Sequence, residues 1–157
     1  MANTNSRYKR ILIAVDDTDC SKNALEHSRY IVANEKAAVA LIHVTENPAT
    51  TNFGVDPLMG QQAVIVPPTL QIQEESALKL LEEVKTSISD IASDISIFHR
   101  VGVPRQEILS LSIEWEADLI IMGTHGRRGI DHLISGSVSE SVLRRATCPV
   151  LIIPGKC

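Results

Sequence analysis

Aromatic side chains are scarce in this sequence: only 3% of its residues are Phe, Trp or Tyr, although 44% are hydrophobic. A composition this apolar predicts a packed globule, and its core must therefore be built from Ile, Leu, Val and Ala. The aromatic residues form no interleaved series of stacking platforms of the kind that favours single-stranded nucleic acids. Trp115 is expected to lie in the core.

Basic charge and long apolar runs are lacking as well. The formal net charge of −4 disfavours nucleic acid and anionic membranes as partners, because both attract basic surfaces. No apolar run is long enough to span a bilayer, and the first ten residues lack the apolar core of a signal peptide. We therefore expect a cytoplasmic protein with no membrane partner, folded as a single domain over residues 1–157.

Cysteine is also infrequent. Cys20, Cys148 and Cys157 are too few and too scattered to predict a disulfide framework or a zinc site, so reduced thiols are expected. The serines near position 137 are not in the GxSxG arrangement of a hydrolase nucleophile. No nucleophile, base and orienting group are recognisable together, and we expect no catalytic residues.

Five short aliphatic runs alternate with four helical patterns. The runs do not alternate between apolar and polar residues, which is typical of parallel strands buried on both faces. Helical periodicity covers residues 20–34, a segment from about Gln73, a segment that begins near Pro104, and the segment from Val138 to Ala146. This order predicts an α/β domain with a five-stranded parallel sheet and helices on both faces. The predicted strands are Arg10–Val15, Ala37–Val44, Asp94–Val101, Asp118–Gly123 and Pro149–Ile153.

One connection is much longer than the others. The segment Thr45–Thr69 contains four prolines and two glycines. Loops of this length inside a compact domain are usually either functional or disordered. We expect a long, flexible loop here, and the alternative is a segment that covers a ligand.

The segment MGTHGRRGIDHLISGSVSE, residues 122–140, follows the fourth strand. Gly123 ends the strand, Gly126 lies in a turn, and Gly136 with Ser137 begins the last helix. Glycine lets a phosphate approach the backbone, and the N–H groups at a helix start attract anions. Arg127 and Arg128 add positive charge. The spacing favours a phosphate cradle that differs from both the Walker A and the GxGxxG motifs.

The same segment has a purely structural interpretation. Ser137 and Glu140 have the spacing of a capping box, in which each side chain bonds a backbone N–H at the helix start. The glycines would then serve only a turn. The two interpretations are compatible, because a capped helix start can still hold a phosphate.

An acidic corner follows the first strand. Asp16, Asp17 and Asp19 are placed to ligate Mg²⁺ or to bond a ribose hydroxyl. The alternative is that Asp19 caps the next helix while another carboxylate is solvated. Among the histidines, His43 is expected to be a satisfied core or strand-end residue and His125 a solvated turn residue.

Taken together, these residues resemble the universal stress protein family. The spacing Gly123-x2-Gly126-x9-Gly136-Ser137 is similar to the ATP-binding signature of that family. The resemblance extends through RILIAVDDTDCSKNAL, ALIHV, GVPRQEIL, ADLIIMGTHGRRG and CPVLII. It implies a Rossmann-like fold, of the adenine nucleotide alpha hydrolase-like type, with strand order 3-2-1-4-5. That order would place Asp16 across a crevice from the glycine loop.

The resemblance also implies a nucleotide site. The first strand end would line the adenosine, Val44 would lie beside the adenine with Met122 below it, and the glycine loop and helix start would hold ribose and phosphates. ATP is the expected ligand, and Mg²⁺ or Mn²⁺ can accompany its phosphates. The expected site residues are Ala14, Val15, Asp16, Val44, Met122, Gly123, Gly126, Arg127, Gly136, Ser137, Val138 and Ser139.

The function that the resemblance implies is nucleotide-dependent regulation in the stress response. An alternative is a slow ATPase or phosphotransferase that uses Asp16 or His125 at the same site. RNA binding through the GxxG turn is disfavoured by the acidic net charge. Because the family commonly dimerises through its last strand, we expect a homodimer through Val150–Ile153, which would otherwise leave an apolar sheet edge unpaired.

Overall fold

The computed structural model describes residues 6–46, 68–124 and 138–154. Strands and helices alternate along these segments, as the sequence predicts. Every predicted strand is present, with ends that differ from the expected ones by no more than one residue. The elements are β1 Arg10–Ala14, α1 Asp19–Glu35, β2 Ala38–Thr45, α2 Pro68–Ile88, β3 Asp94–Val101, α3 Pro104–Glu114, β4 Leu119–Gly123, α4 Val138–Arg145 and β5 Val150–Ile153.

Helix α2 begins several residues before the predicted start at Gln73. Residues 71–76 are all exposed, and Ala77 is the first buried residue of the helix. The apolar periodicity therefore becomes visible only after the helix has begun. Thr45 belongs to β2 and Thr69 to α2, and the part of the expected long loop at 47–67 lies outside the described residues.

The five strands form one parallel sheet in the order β3-β2-β1-β4-β5. The expected Rossmann-like order is therefore confirmed. Strand β1 lies at the centre, with β2 on one side and β4 on the other. From β1 the chain first builds outward through β2 and β3, and then returns through α3 to build outward on the opposite side.

Two aliphatic layers cover the sheet. Helices α1 and α2 pack against one face, and α3 and α4 pack against the other. Successive side chains of a strand point to opposite faces, so Ile11 and Ile13 enter the first layer while Leu12 enters the second. This explains the continuous apolar runs: a β1 side chain is buried whichever face it takes. Each such burial stabilises the fold by about 1.5–3 kcal/mol.

The start of α1 differs from the expectation. Thr18 is the N-cap residue, and its hydroxyl oxygen accepts a hydrogen bond from the Ser21 amide at 3.2 Å. The expectation that Asp19 caps the helix is wrong: Asp19 is the first helical residue, with its carboxylate 3.1 Å from Lys22 Nζ. Because Thr and Asp are both favourable N-cap residues, residue type does not distinguish Thr18 from Asp19. The extended backbone of Thr18 identifies it as the N-cap.

Trp115 lies at the end of α3 and packs, half-buried, against the core on the α3/α4 side, which agrees with its expected position; the Arg10 guanidinium lies 4.2 Å from its ring centroid. One further expectation needs correction. Cys20 is disulfide-bonded, so the expectation of three reduced thiols is wrong for this residue, while Cys148 is free. Sequence spacing does not reveal which sulfurs a fold brings within bonding geometry. Within the described helices, none combines the length and apolarity that crossing a membrane requires.

Candidate functional site

The carboxyl ends of β2, β1 and β4 lie side by side at the centre of the sheet. The connections from β1 and from β3 run in opposite directions across the sheet, so the strand order reverses between β1 and β4. In open parallel α/β sheets, a crevice forms beyond the strand ends at such a reversal, and ligands bind there. The candidate site is built on these three strand ends.

Three of the expected site residues share one face of the sheet. Met122 is buried, and Ala14 and Val44 are half-buried in the same hydrophobic cluster on the α3/α4 side. Each is the last or the last but one residue of its strand, in three adjacent strands, and we call these three residues the apolar floor. A flat apolar group with polar groups at its rim suits such a surface.

Val15 and Asp16 turn away from the end of β1, and we call these two residues the Val15–Asp16 corner. Val15 is 6% exposed. Its amide donates to the Ile42 carbonyl at 2.8 Å, and its carbonyl accepts a hydrogen bond from His43 Nδ1 at 2.9 Å. The backbone at the end of β1 is therefore bonded to β2 on both sides of the same residue.

The carboxylate of Asp16 is held by the start of α1. Its Oδ1 accepts hydrogen bonds from the Thr18 amide, at 2.8 Å, and from the Thr18 hydroxyl. The Asp16 amide donates to Ser21 Oγ at 2.9 Å. Because Thr18 also caps α1, the acidic group is oriented by the helix start. A carboxylate at this position can accept hydrogen bonds from ligand hydroxyl groups.

Gly123 ends β4 against the first turn of α1. A Cβ added there would lie 2.8 Å from the Cys20 carbonyl oxygen and 3.0 Å from its carbon. Only a residue without a side chain lets the two backbones approach this closely. The glycine expected to accommodate a ligand is thus also required by the packing of β4 on α1.

Helix α4 begins close to the end of β4. Val138 is its first residue and is partly exposed, whereas Ser139 is 5% exposed. Ser139 Oγ donates to the Thr124 carbonyl at 3.4 Å, so the helix start is joined to the strand end. The helix start therefore lies at the same edge of the sheet as the apolar floor.

Four of the expected site residues lie outside the described residues: Gly126, Arg127, Gly136 and Ser137. The same holds for His125, the residue named in the alternative enzymatic interpretation. Their roles stay predictions. In residues 6–46, 68–124 and 138–154, no group of three or more His, Cys, Asp or Glu side chains is arranged to hold a metal ion.

A histidine pair beside the corner was missed by sequence reasoning. His43 on β2 and His99 on β3 are register partners, and their rings stack with centroids 6.1 Å apart and an interplanar angle of 21°. His99 Nε2 lies 2.9 Å from Thr45 Oγ1. Burial lowers the pKa of His99, the neighbouring His43 lowers it further, and Glu74 raises it. The sequence contains both histidines, but only the strand register places them together.

Comparison with known proteins agrees with this architecture. The family model described as the universal stress protein family matches residues 7–154. Universal stress protein MJ0531 of Methanocaldococcus jannaschii is 32% identical over 151 residues, covering 96% of this chain and 85% of its own. The solved structure of protein MJ0577, from the same organism, is 27% identical with a TM-score of 0.75, covering 96% of this chain and 98% of its own.

Two more distant structures share the fold and contain a ligand. A universal stress protein in complex with cAMP has 24% identity and a TM-score of 0.67, over 94% of this chain and 97% of its own. One from Archaeoglobus fulgidus in complex with dAMP has 21% identity and a TM-score of 0.60, over 93% and 98%. With a family model that matches nearly the whole chain, and with the fold and strand order just described, this chain belongs to the universal stress protein family.

Proposed function

We propose that this protein binds an adenine nucleotide, ATP first among them, in the crevice beyond β1 and β4, and that it acts as a nucleotide-dependent regulatory module in the stress response. The observation that carries the proposal is the apolar floor, in which Ala14, Val44 and Met122 lie together at three adjacent strand ends. An adenine ring has the flat apolar faces that such a floor accepts. The complexes of two related proteins with cAMP and dAMP support the choice of an adenine nucleotide.

The polar groups around the floor fit the rest of a nucleotide. Asp16 presents an oriented carboxylate beside it, suited to ribose hydroxyls. Gly123 ends β4 in close contact with the first turn of α1, and the start of α4 lies nearby, joined to β4 by Ser139. A helix start favours phosphate through its unpaired N–H groups. Gly126, Arg127, Gly136 and Ser137 complete the proposed phosphate contacts on the sequence pattern alone.

In this proposal a divalent cation is bound mainly by the nucleotide and only in part by the protein. The described residues contain no cluster of three acidic or histidine ligands for it. Mg²⁺ is commonly held by substrate phosphates, waters and one or two carboxylates. Mg²⁺ or Mn²⁺ would therefore arrive with the nucleotide, and Asp16 is a candidate for the protein carboxylate that joins its ligands.

The regulatory role follows from differential binding. A ligand shifts a protein between states only when it binds one of them more tightly. The proposed site joins β1, β4, α1 and α4, so an occupied crevice would favour one arrangement of these elements. We also propose a cytoplasmic location, because the proposed ligand is a cytoplasmic metabolite.

The proposed dimer uses the outer strand β5. It pairs with β4 on one side, and the order β3-β2-β1-β4-β5 places it at the end of the sheet. Val150, Leu151 and Ile152 are only partly buried there. Pairing with a second copy around a two-fold axis would cover this edge. Sedimentation equilibrium should give the dimer mass, and a monomer mass at micromolar concentration would contradict this part of the proposal.

Isothermal titration calorimetry with ATP and Mg²⁺ tests the ligand assignment. Asp16→Asn keeps an oxygen that can accept the Thr18 bonds while removing the charge, and it should weaken binding by about three- to tenfold, the value of one net hydrogen bond. Asp19→Asn is the matched control, since this exposed carboxylate pairs only with Lys22 among the contacts described. Equal affinity in wild type and Asp16→Asn would remove Asp16 from the site. ATP turnover lost in Asp16→Asn would instead favour the enzymatic alternative.

A further inference from the structure

His43 bonds the proposed site from the opposite face of the sheet. Its neighbour Val44 belongs to the apolar floor on the α3/α4 side, and successive strand residues point to opposite faces. We propose that His43 is a positioning residue: its ring N–H fixes the Val15–Asp16 corner in the shape that receives the nucleotide, and the stacked ring of His99 makes this support depend on pH. The inference rests on the nucleotide function proposed above.

The support acts on a single peptide group. The Val15 carbonyl and the Asp16 amide belong to the same planar unit, which rotates only as a whole. His43 Nδ1 donates to the carbonyl at 2.9 Å, and the amide donates to Ser21 Oγ at 2.9 Å. A change in the ψ angle of Val15 would turn this unit and redirect Asp16, with its carboxylate, which follows it. The two side-chain bonds at opposite ends of the unit prevent that rotation.

The hydrogen bond also determines the state of the ring. A carbonyl oxygen only accepts, so His43 Nδ1 must carry a proton. Neutral His43 satisfies this in one tautomer, and protonated His43 satisfies it as well. The bond to Val15 is therefore compatible with either charge state of the His43 ring, and like charges face each other only when His99 is protonated as well.

Protonation of His99 is disfavoured by its surroundings. Its ring centroid lies 6.1 Å from that of His43, and like charges at this separation in a partly buried site repel. Burial and His43 lower the pKa of His99, while Glu74 on α2 acts in the opposite sense. Asp16, beyond the Val15 carbonyl, is the acidic group on the β1 side. When both rings are charged, His43 relieves the repulsion by moving away from His99, which strains its bond to Val15.

Substitutions distinguish the role of the His43 hydrogen-bond donor from the role of the charge on the two rings. His43→Leu removes the ring N–H. His43→Asn keeps an amide N–H close to the position of Nδ1 but gains no proton. His99→Gln keeps a polar group within reach of Thr45 and cannot become charged. His27→Gln is the matched control, because His27 is an exposed histidine of α1 whose Nδ1 lies 2.9 Å from the Asn23 carbonyl in its own helix.

The experiment is calorimetric titration of each variant with ATP and Mg²⁺ at about pH 7.5 and at about pH 5, the second well below the ordinary histidine pKa because that of His99 is lowered. At the higher pH, His43→Leu should bind about three- to tenfold more weakly than wild type, and His43→Asn should bind nearly as tightly as wild type. At the lower pH, wild type and His27→Gln should lose more affinity than His43→Asn and His99→Gln. Protonation of the nucleotide itself cancels in this comparison, since every variant meets the same ligand.

The outcomes distinguish this inference from the function on which it rests. If wild type binds no ATP at either pH, the proposed function and this inference both fail. If wild type binds ATP and a folded His43→Leu binds it equally well, only the positioning role fails. Equal loss of affinity with pH in wild type and His99→Gln overturns the pH dependence. If His43→Leu does not fold, the comparison of His43→Asn and His99→Gln with wild type at the lower pH still decides, because both variants retain the polar contacts: a loss of affinity equal to that of wild type in both would overturn the inference.

Discussion

Gly123→Ala should destabilise the fold, although the backbone at Gly123 allows alanine. None of the described glycines has a positive φ, and alanine at such a position usually stabilises by about 0.4–1 kcal/mol through the unfolded state. At Gly123, however, the new Cβ would lie 2.8 Å from the Cys20 carbonyl oxygen, where ordinary contact begins at 3.4 Å. The new Cβ is fixed to the β4 backbone and meets the backbone of α1, so no side chain can rotate to relieve the contact. Either α1 or β4 must move by about 0.6 Å, and such overpacking costs about 1–3 kcal/mol.

Gly102→Ala provides the matched control. The added Cβ at Gly102 would also lie 2.8 Å from an oxygen, but that atom is Glu107 Oε1, at the end of a flexible side chain. Rotation of Glu107 gives up only a 3.7 Å ion pair with Arg100, and partly exposed pairs contribute about 0–1 kcal/mol. We therefore expect Gly102→Ala to stay within about 0.5 kcal/mol of wild type.

Urea unfolding of both variants beside wild type measures the difference. The midpoint should fall for Gly123→Ala with an unchanged slope, and its Tm should drop by about 2–4 °C for each kcal/mol lost in a domain of this size. Equal free energies of unfolding for the two variants would contradict the prediction, because the backbone beside Gly123 should move less readily than the Glu107 side chain beside Gly102. A lower slope would instead indicate a change in how compact one of the states is.

Two further predictions concern the elements beside the site. Thr18→Ala should lower the free energy of unfolding by about 1 kcal/mol through loss of the N-cap, while Thr18→Ser, which keeps the hydroxyl, should stay close to wild type in the same urea assay; equal loss in both would contradict the capping role. The lowered pKa of His99 means that the unfolded chain takes up this proton at a higher pH than the native protein does. Stability should therefore be complete above about pH 6.5 and decrease as the pH falls toward the native pKa; urea midpoints across this range should fall less steeply for His99→Gln, and parallel curves would disprove the assignment.

The boundaries of the strands were predictable from the positions of the aliphatic runs along the sequence. Strand β3 begins and ends at the predicted residues, and the ends of the others differ by no more than one residue. In the inner strands β1, β2 and β4 most positions are buried and apolar, because both faces of the sheet are covered. The start of α2 was less predictable. Its first turns, at residues 71–76, are exposed and leave no apolar period by which to recognise a helix.

The local chemistry of the site was less predictable than its location. The carboxyl end of β1 was expected to carry the acidic group, and it does. The sequence favoured Asp19 as the helix cap, whereas the backbone dihedrals give that role to Thr18, and Thr18 in turn orients Asp16. Short-range hydrogen bonds of this kind depend on dihedral angles, which residue types constrain only weakly.

The sequence by itself determined the α/β class and the parallel sheet, because strands buried on both faces appear as continuous apolar runs and the helices between them show apolar periodicity. Only the tertiary structure decided what lies across the strands. It placed Ala14, Val44 and Met122 on one floor, brought Gly123 against Cys20, and joined His43 to both Val15 and His99. These contacts depend on strand register and on the distance between packed backbones, and both are set by the packing of side chains throughout the core.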